Sequence, residues 1–356
     1  MITPFYFHPL PIILAYLTLI PQTLSTAIPQ SSSDINTNPN LGTWHALPPI
    51  PISPRQEHAT VYLDPYIYIL GGVTPSNDPN NPFPTTTLTQ RYSLLTNTWS
   101  TAAPLPLPLN HANAAVLNGA IYLLGGLTPS PQNPNLWTAT RSCYIYHPET
   151  DIWSELPHEI PSGRQIGAAA IGNRGNTIYL AGGITHLDIS ETSQPSVDYF
   201  TAYTAGRELW TNLPSLPQPR DHAGKAFIGD SGPFFVIGGR EYTHDNVVNT
   251  TYAYEFQTNT WGEKAQMPTA RAGVASAVVG SQIFVMGGEG NPDAENGVFA
   301  QNEAYDVLTD EWREYAPMDV PRHGTSAVAI GKRIYVPGGG IGGEASTDYF
   351  SYFEVP

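Results

Sequence analysis

The chain has little of what most soluble enzymes and nucleic-acid-binding proteins carry in quantity. It has one cysteine, Cys143, so no intramolecular disulfide can form. It has 15 Lys+Arg against 30 Asp+Glu, a formal net charge of −15. An acidic surface repels phosphate backbones and anionic lipid headgroups, so neither nucleic acid nor a charged membrane is an expected partner. No apolar stripe of 3.6-residue period lasts for the length of a helix, and 35 Pro with 32 Gly punctuate the chain throughout. There is no phosphate-binding loop and no Gly-x-Ser-x-Gly elbow. The ten His show no HxH or HExxH spacing, so no metal and no cofactor are expected.

What the chain does have is a repeat. Ile67-Tyr68-Ile69-Leu70-Gly71-Gly72 is an alternating apolar run that stops on a double glycine. The design returns at Gly125-Gly126, Gly182-Gly183, Gly238-Gly239, Gly287-Gly288 and Gly338-Gly339. A period of about fifty residues is a repeat architecture, and it decides the fold class. Downstream of each of the first five pairs a tyrosine is followed seven residues later by a tryptophan: Tyr92 and Trp99, Tyr146 and Trp153, Tyr203 and Trp210, Tyr254 and Trp261, Tyr305 and Trp312. Four short strands per unit make a sheet with two faces to bury, and radial packing of such sheets buries both. The expected fold is all-β, with glycine allowing the sharp turn after each second strand.

The ends of the chain imply closure. The sixth unit has Tyr352 but no tryptophan seven residues on, while Gly42-Thr43-Trp44-His45-Ala46-Leu47 precedes the first unit without a tyrosine. The N-terminal strand is therefore expected to complete the last blade. The Gly-Gly, Tyr and Trp pattern resembles the kelch repeat. That resemblance covers residues 43–356 and implies a six-bladed kelch β-propeller, expected to be a monomer.

Residues 1–27 contain no Asp, Glu, Lys or Arg, and Pro11 to Ile20 has the length of a signal-peptide core. They are expected to be a signal peptide cleaved near Ser25-Thr26-Ala27, with residues 28–42 a flexible linker. The mature chain is then secreted, with no membrane span. Asn249-Thr250-Thr251 is a glycosylation acceptor sequence. Cys143 is expected to be a buried, inert thiol on the third strand of blade two.

Function is expected on the face that carries the loops between second and third strands. Residues 73–87 and 127–140 are long loops of this kind, and the second carries Trp137. The turns into the innermost strands carry Arg55, His58, Asn110, His111, Arg164, Arg220, Arg271 and Arg322. Placed by the repeat, they form a collar around one mouth of the central channel. Guanidinium forks there suit carboxylates and hydroxyls, but arginine at this turn also belongs to the general kelch pattern and can tie blades together.

Glu241, Glu289, His222 and His323 are the candidate acid/base groups on that face. The resemblance extends to a six-bladed bacterial sialic-acid epimerase, which draws attention to Arg220 and Glu241. It also extends to galactose oxidase, whose copper site needs a Tyr linked to a Cys. Here Tyr146 occupies the repeat's packing position and the ring has six units, so a copper enzyme ranks last. The leading expectation is a propeller that binds a small hydroxylated or carbohydrate-like ligand, or a protein partner, at the loop-bearing face. A metal-independent isomerase, epimerase or cyclase acting in the same mouth is the alternative. Exposed aromatics such as Trp137 would favour a protein partner, and a deep mouth with converging carboxylates would favour an enzyme.

Overall fold

A computed structural model describes residues 39–133, 135–342 and 345–356, all within one compact unit. The expected signal peptide and most of the linker lie outside the described residues. No helix among those described is long and apolar enough to cross a membrane.

Six antiparallel four-stranded sheets follow one another along the chain. Blade one is Ala59–Leu63, Tyr66–Leu70, Thr89–Ser93 and Thr98–Ala102. Blade two is Ala114–Leu117, Ala120–Leu124, Cys143–His147 and Ile152–Glu155. Blade three is Ala170–Arg174, Thr177–Ala181, Phe200–Thr204 and Leu209–Asn212, and blade four is Gly224–Phe227, Phe234–Ile237, Thr251–Glu255 and Thr260–Lys264. Blade five is Ala275–Val279, Gln282–Met286, Asn302–Asp306 and Glu311–Glu314. Blade six takes Val328–Ile330, Arg333–Pro337 and Phe350–Glu354 from the C-terminal end and Thr43–Leu47 from the N-terminal end. The innermost strands touch in cyclic order, blade six against blade one included, so the ring is closed.

The seven-residue spacing of Tyr and Trp has a simple cause. The two residues face each other directly across the third and fourth strands, as in Tyr146 opposite Trp153 and Tyr305 opposite Trp312. The tyrosine is buried between sheets, while the tryptophan Nε1 reaches back to a carbonyl of the preceding blade, as from Trp153 to Ala103 (3.1 Å) and from Trp312 to Ala265 (2.8 Å). Each buried tyrosine contributes roughly 1.5–3 kcal/mol of apolar burial, and the hydroxyls of Tyr92, Tyr146, Tyr254 and Tyr305 are bonded at the hairpin turn. In blade six the residue opposite Trp44 is Phe353, not Tyr352; Tyr352 lies opposite His45 and stacks on it at 4.8 Å.

The loops on the mouth face are more ordered than their composition implies. Leu127–Pro129, Leu136–Ala139 and His186–Asp188 form a separate three-stranded sheet joining the loops of blades two and three. It buries Trp137 to 4% exposure against Leu127, Ile184, Leu187 and Val73. Trp137 is therefore not an exposed aromatic.

Candidate functional site

One residue from the turn into each innermost strand stands around the ring axis: Glu57, His111, Ala168, His222, Gly273 and Gly324. All six have φ between 49° and 61°. Each backbone N–H donates to the carbonyl of its counterpart in the preceding blade. Glu57 bonds Gly324 (2.6 Å), His111 bonds Glu57 (2.9 Å), Ala168 bonds His111 (3.0 Å), His222 bonds Ala168 (3.2 Å), Gly273 bonds His222 (2.9 Å) and Gly324 bonds Gly273 (2.9 Å). This closed belt fixes four non-glycine residues in the left-handed region, where each costs on the order of 1 kcal/mol or more.

Side chains from this belt and from the residue after each Gly-Gly make the floor of the mouth. Glu57 Oε2 lies 3.1 Å from His111 Nε2 and 3.8 Å from His222 Nε2. The rings of His111 and His222 are 4.8 Å apart, edge to face. His222 Nδ1 donates to Asp221, whose carboxylate also takes bonds from Arg240 Nε (3.0 Å) and from Ser196 Oγ. Arg240 Nη1 reaches Glu289 at 2.8 Å, and Glu289 also meets His323 (3.3 Å) and His244 (3.6 Å).

The electrostatics split the two floor carboxyls. Burial, and then the neighbouring Glu289, push the Glu57 carboxyl up to about 8. Burial disfavours charge on Glu289 as well, yet His323, Arg240 and His244 outweigh it and hold Glu289 well below the usual carboxylate range. Burial keeps His111 and His222 below the ordinary imidazole value, so both are neutral at pH 7. Two carboxyls in one site with values driven apart is the usual arrangement of an acid and a base.

Above this floor is a cavity of about 760 Å³. Its lining joins apolar side chains, Val73, Phe83, Trp137, Leu187, Val298 and Phe299, to the floor groups and to polar loop residues such as Glu191, Gln194, Asp245 and Asn291. A concave apolar pocket with a few convergent polar groups is the form small-molecule sites take.

The expected arginine collar lies elsewhere. Arg55, Arg220, Arg271 and Arg322 are 0–1% exposed, each inside its own blade. Arg55 Nη1 donates to Leu88 O (2.6 Å) and Gly71 O (3.1 Å), and Arg322 Nη1 to Val336 O (2.8 Å) and Tyr349 O (3.0 Å). Arg271 pairs with the buried Glu303 and bonds Gly287 O, while Arg220 bonds Gly238 O and Glu241. They satisfy the carbonyls that the Gly-Gly turns leave unpaired, so they do not face a ligand. Arg164 is not at the equivalent position; Ile166 is, and Arg164 stacks over Tyr199 at 4.4 Å. Leu109 takes that place in blade two.

Of the remaining candidates, His222, His323 and Glu289 are brought together at the floor, and His111 joins them. Glu241 is held by Arg220 instead. Asn110 is fully buried and orients His111 through a 2.6 Å bond to Nδ1. His58 lies below the belt, bonded to Thr60 Oγ1, and burial drives it down to about 3. Asn249 is half-buried just before the strand Thr251–Glu255. Cys143 is 1% exposed and burial pushes its thiol up to about 12.

Sequence reasoning missed Glu57, Asp221 and Arg240. A signal existed: the residue after each Gly-Gly is Val73, Leu127, Ile184, Arg240, Glu289 and Gly340, and the two charged ones are adjacent in the ring.

The fold is thus a closed six-bladed β-propeller with a polar floor under one mouth. A family model described as the KLHDC2/KLHL20/DRC7 Kelch-repeats domain matches residues 110–339. The Kelch-like protein terF of Aspergillus terreus is 41% identical over 327 residues, which are 90% of this chain and 70% of that protein. Beta-scruin of Limulus polyphemus is 27% identical over 283 residues, covering 77% of this chain and 30% of its own length. The chain belongs to the kelch-repeat family. Among solved structures it is similar to YjhT, with a TM-score of 0.69 over 85% of this chain and 95% of that one. At 15% identity this likeness concerns the fold.

Proposed function

We propose that the loop-bearing mouth binds a small molecule with a mainly apolar body and an oxygen-bearing end, and that the floor performs acid–base chemistry on it. The observation that carries this reading is the cavity itself: an apolar group of Val73, Phe83, Trp137, Leu187, Val298 and Phe299 in its lining, together with Glu57, Arg240, Glu289 and His323. Apolar walls favour a ring-bearing metabolite with few hydroxyls over a polyhydroxylated sugar, whose hydroxyls would lose water without gaining partners. Arg240 fixes the ionised Glu289 as the base, and His323 beside it completes a route for the proton. Reactions within reach are isomerisation, epimerisation or cyclisation at a carbon next to a carbonyl. Export from the cell belongs to the same reading, supported by the uncharged apolar stretch from Pro11 to Ile20.

The test is a thermal-shift screen against oxygenated aromatic and alicyclic metabolites, alone and as fractions of culture medium. A ligand that binds only the folded state raises the melting temperature with its saturation. Ile189→Arg, which blocks the mouth from its rim, should abolish the shift; Glu289→Gln should keep binding and lose turnover. A shift that survives Ile189→Arg would place the ligand elsewhere, and no shift with any fraction would overturn the reading.

A further inference from the structure

Three atoms able to ligate a metal ion meet below the cavity. Glu57, His111 and His222 come from blades one, two and four, and one ligand atom of each lies within 4.8 Å of the others. The belt of backbone bonds fixes all three Cα positions.

The rings are oriented from behind. His111 Nδ1 is bonded to Asn110 Oδ1 at 2.6 Å, and the Asn110 amide is itself set because its Nδ2 donates to Thr85 Oγ1 (2.7 Å). The proton therefore sits on His111 Nδ1, and Nε2 presents a bare lone pair. His222 Nδ1 is fixed in the same way by Asp221 at 2.5 Å. Arg240 Nη2 is 3.2 Å from both nitrogens of His222. With the proton on Nδ1, Nε2 carries the lone pair, and a metal ion would take it in place of the Arg240 contact. Two imidazole lone pairs and a carboxylate oxygen thus face each other across 3.1 and 3.8 Å. Acceptors so placed need a cation or a proton between them. Metal-ligating histidines show this same support, with the far ring N–H given to a carboxylate or an amide carbonyl.

We propose that Glu57, His111 and His222 bind one divalent transition-metal ion, with its remaining coordination positions open to the cavity. Two imidazoles and one carboxylate form a borderline donor set that suits zinc, iron, cobalt or nickel rather than calcium or magnesium. The surrounding charge favours a dication, since Asp221 and Glu289 oppose the single Arg240 guanidinium and Glu57 adds a third carboxylate on giving up its proton to the ion. His323 Nδ1, 4.0 Å from Glu57 Oε1, stands where a fourth donor would enter. The inference goes beyond the small-molecule reading and does not depend on it.

The experiment is calorimetric titration of the chelator-stripped full chain with Zn²⁺ and Co²⁺, with no organic ligand present. One ion per chain is expected, with a rise in melting temperature and a cobalt visible spectrum. Asn110→Ala, which removes the orienting bond along with the Asn110–Thr85 bond behind it, should weaken binding about 10–100-fold. His158→Ala, at an exposed histidine outside the mouth, should leave it unchanged. Substitutions of the ligands themselves can disturb the belt, so X-ray absorption of the zinc-loaded wild-type chain is the second measurement. Two imidazole nitrogens and a carboxylate oxygen at about 2.0–2.2 Å are expected. Absence of binding, or a bound ion without two imidazoles, would overturn the site. Either result leaves the metal-free ligand screen interpretable by itself.

Discussion

The indole Nε1 of Trp44 donates to the carbonyl of Ala316 at 3.0 Å, across 272 residues of chain. It is the sixth member of a set. Trp99, Trp153, Trp210, Trp261 and Trp312 each make the same bond back to the blade before them. Trp44 differs only in arriving from the other end of the chain, so one bond repeated around the ring also closes it. Trp44→Ala should cost about 2–3 kcal/mol, toward the lower end for a large-to-small change because the ring is half-buried. Trp312→Ala should cost a similar amount. Urea denaturation of both checks this, and a negligible loss for Trp44→Ala alone would mean the closing strand is not docked in solution.

Arg271 and Glu303 are a fully buried ion pair inside blade five. Removing one partner strands the other's charge in the interior, so Arg271→Met should destabilise by about 3–5 kcal/mol. Glu303→Leu in that background should recover part of the loss. If Arg271→Met behaves like a surface substitution, the arginine is not buried as described.

The glycines of the repeat are not equivalent. A Cβ on Gly287 would lie 2.2 Å from the Arg322 carbonyl, and its φ is +62°. Gly287→Ala should therefore unfold blade five or lower the melting temperature by many degrees. Gly262, in an outer strand, meets nothing within 4 Å and has no positive φ. Gly262→Ala should be neutral or stabilising by about 0.4–1 kcal/mol, through the unfolded chain. Differential scanning of the pair separates backbone contact from composition.

Asp310 accepts the hydroxyl of Tyr305 at 2.7 Å and the backbone N–H of Ala265 at 2.9 Å. Those bonds hold its carboxyl below the usual value. A depressed carboxyl stabilises the folded state above its unfolded value of about 4 and loses that contribution as the pH falls further. Asp310→Asn should therefore flatten the acid limb of the stability curve, lowering stability at pH 7 and converging on the wild type once the carboxyl is protonated. Asn259, which takes the hydroxyl of Tyr254 at 3.1 Å in blade four, shows that the amide fits this turn. An unchanged acid limb would mean the bond is absent in solution.

Much of this architecture can be read from one blade's worth of sequence. Alternating apolar residues ending on Gly-Gly locate the second strand, because period two and a left-handed turn are local properties. The seven-residue step from Tyr to Trp locates a hairpin, because the two residues face each other across it. Strand positions expected from these signals agree with those observed to within a residue or two in blade one.

The candidate site is another matter. Arg55, Arg220, Arg271 and Arg322 were legible as a repeated position, but whether that position faces the mouth or the blade interior depends on carbonyls supplied by the following turn. Trp137 lies in a segment whose Pro and Asn read as loop, and it becomes strand only by pairing with His186–Asp188 of the next blade's loop.

Local periodicity alone dictates the blades, their number and their order, since each signal needs only neighbours along the chain. Closure is also written there, in a tryptophan strand at one end and its absence at the other. The convergence of Glu57, His111 and His222 is decided only by the tertiary structure. They stand 54 and 111 residues apart in the sequence, and nothing local relates them. They meet because six equivalent turns are drawn to one axis, and the backbone belt there sets which side chains share a floor.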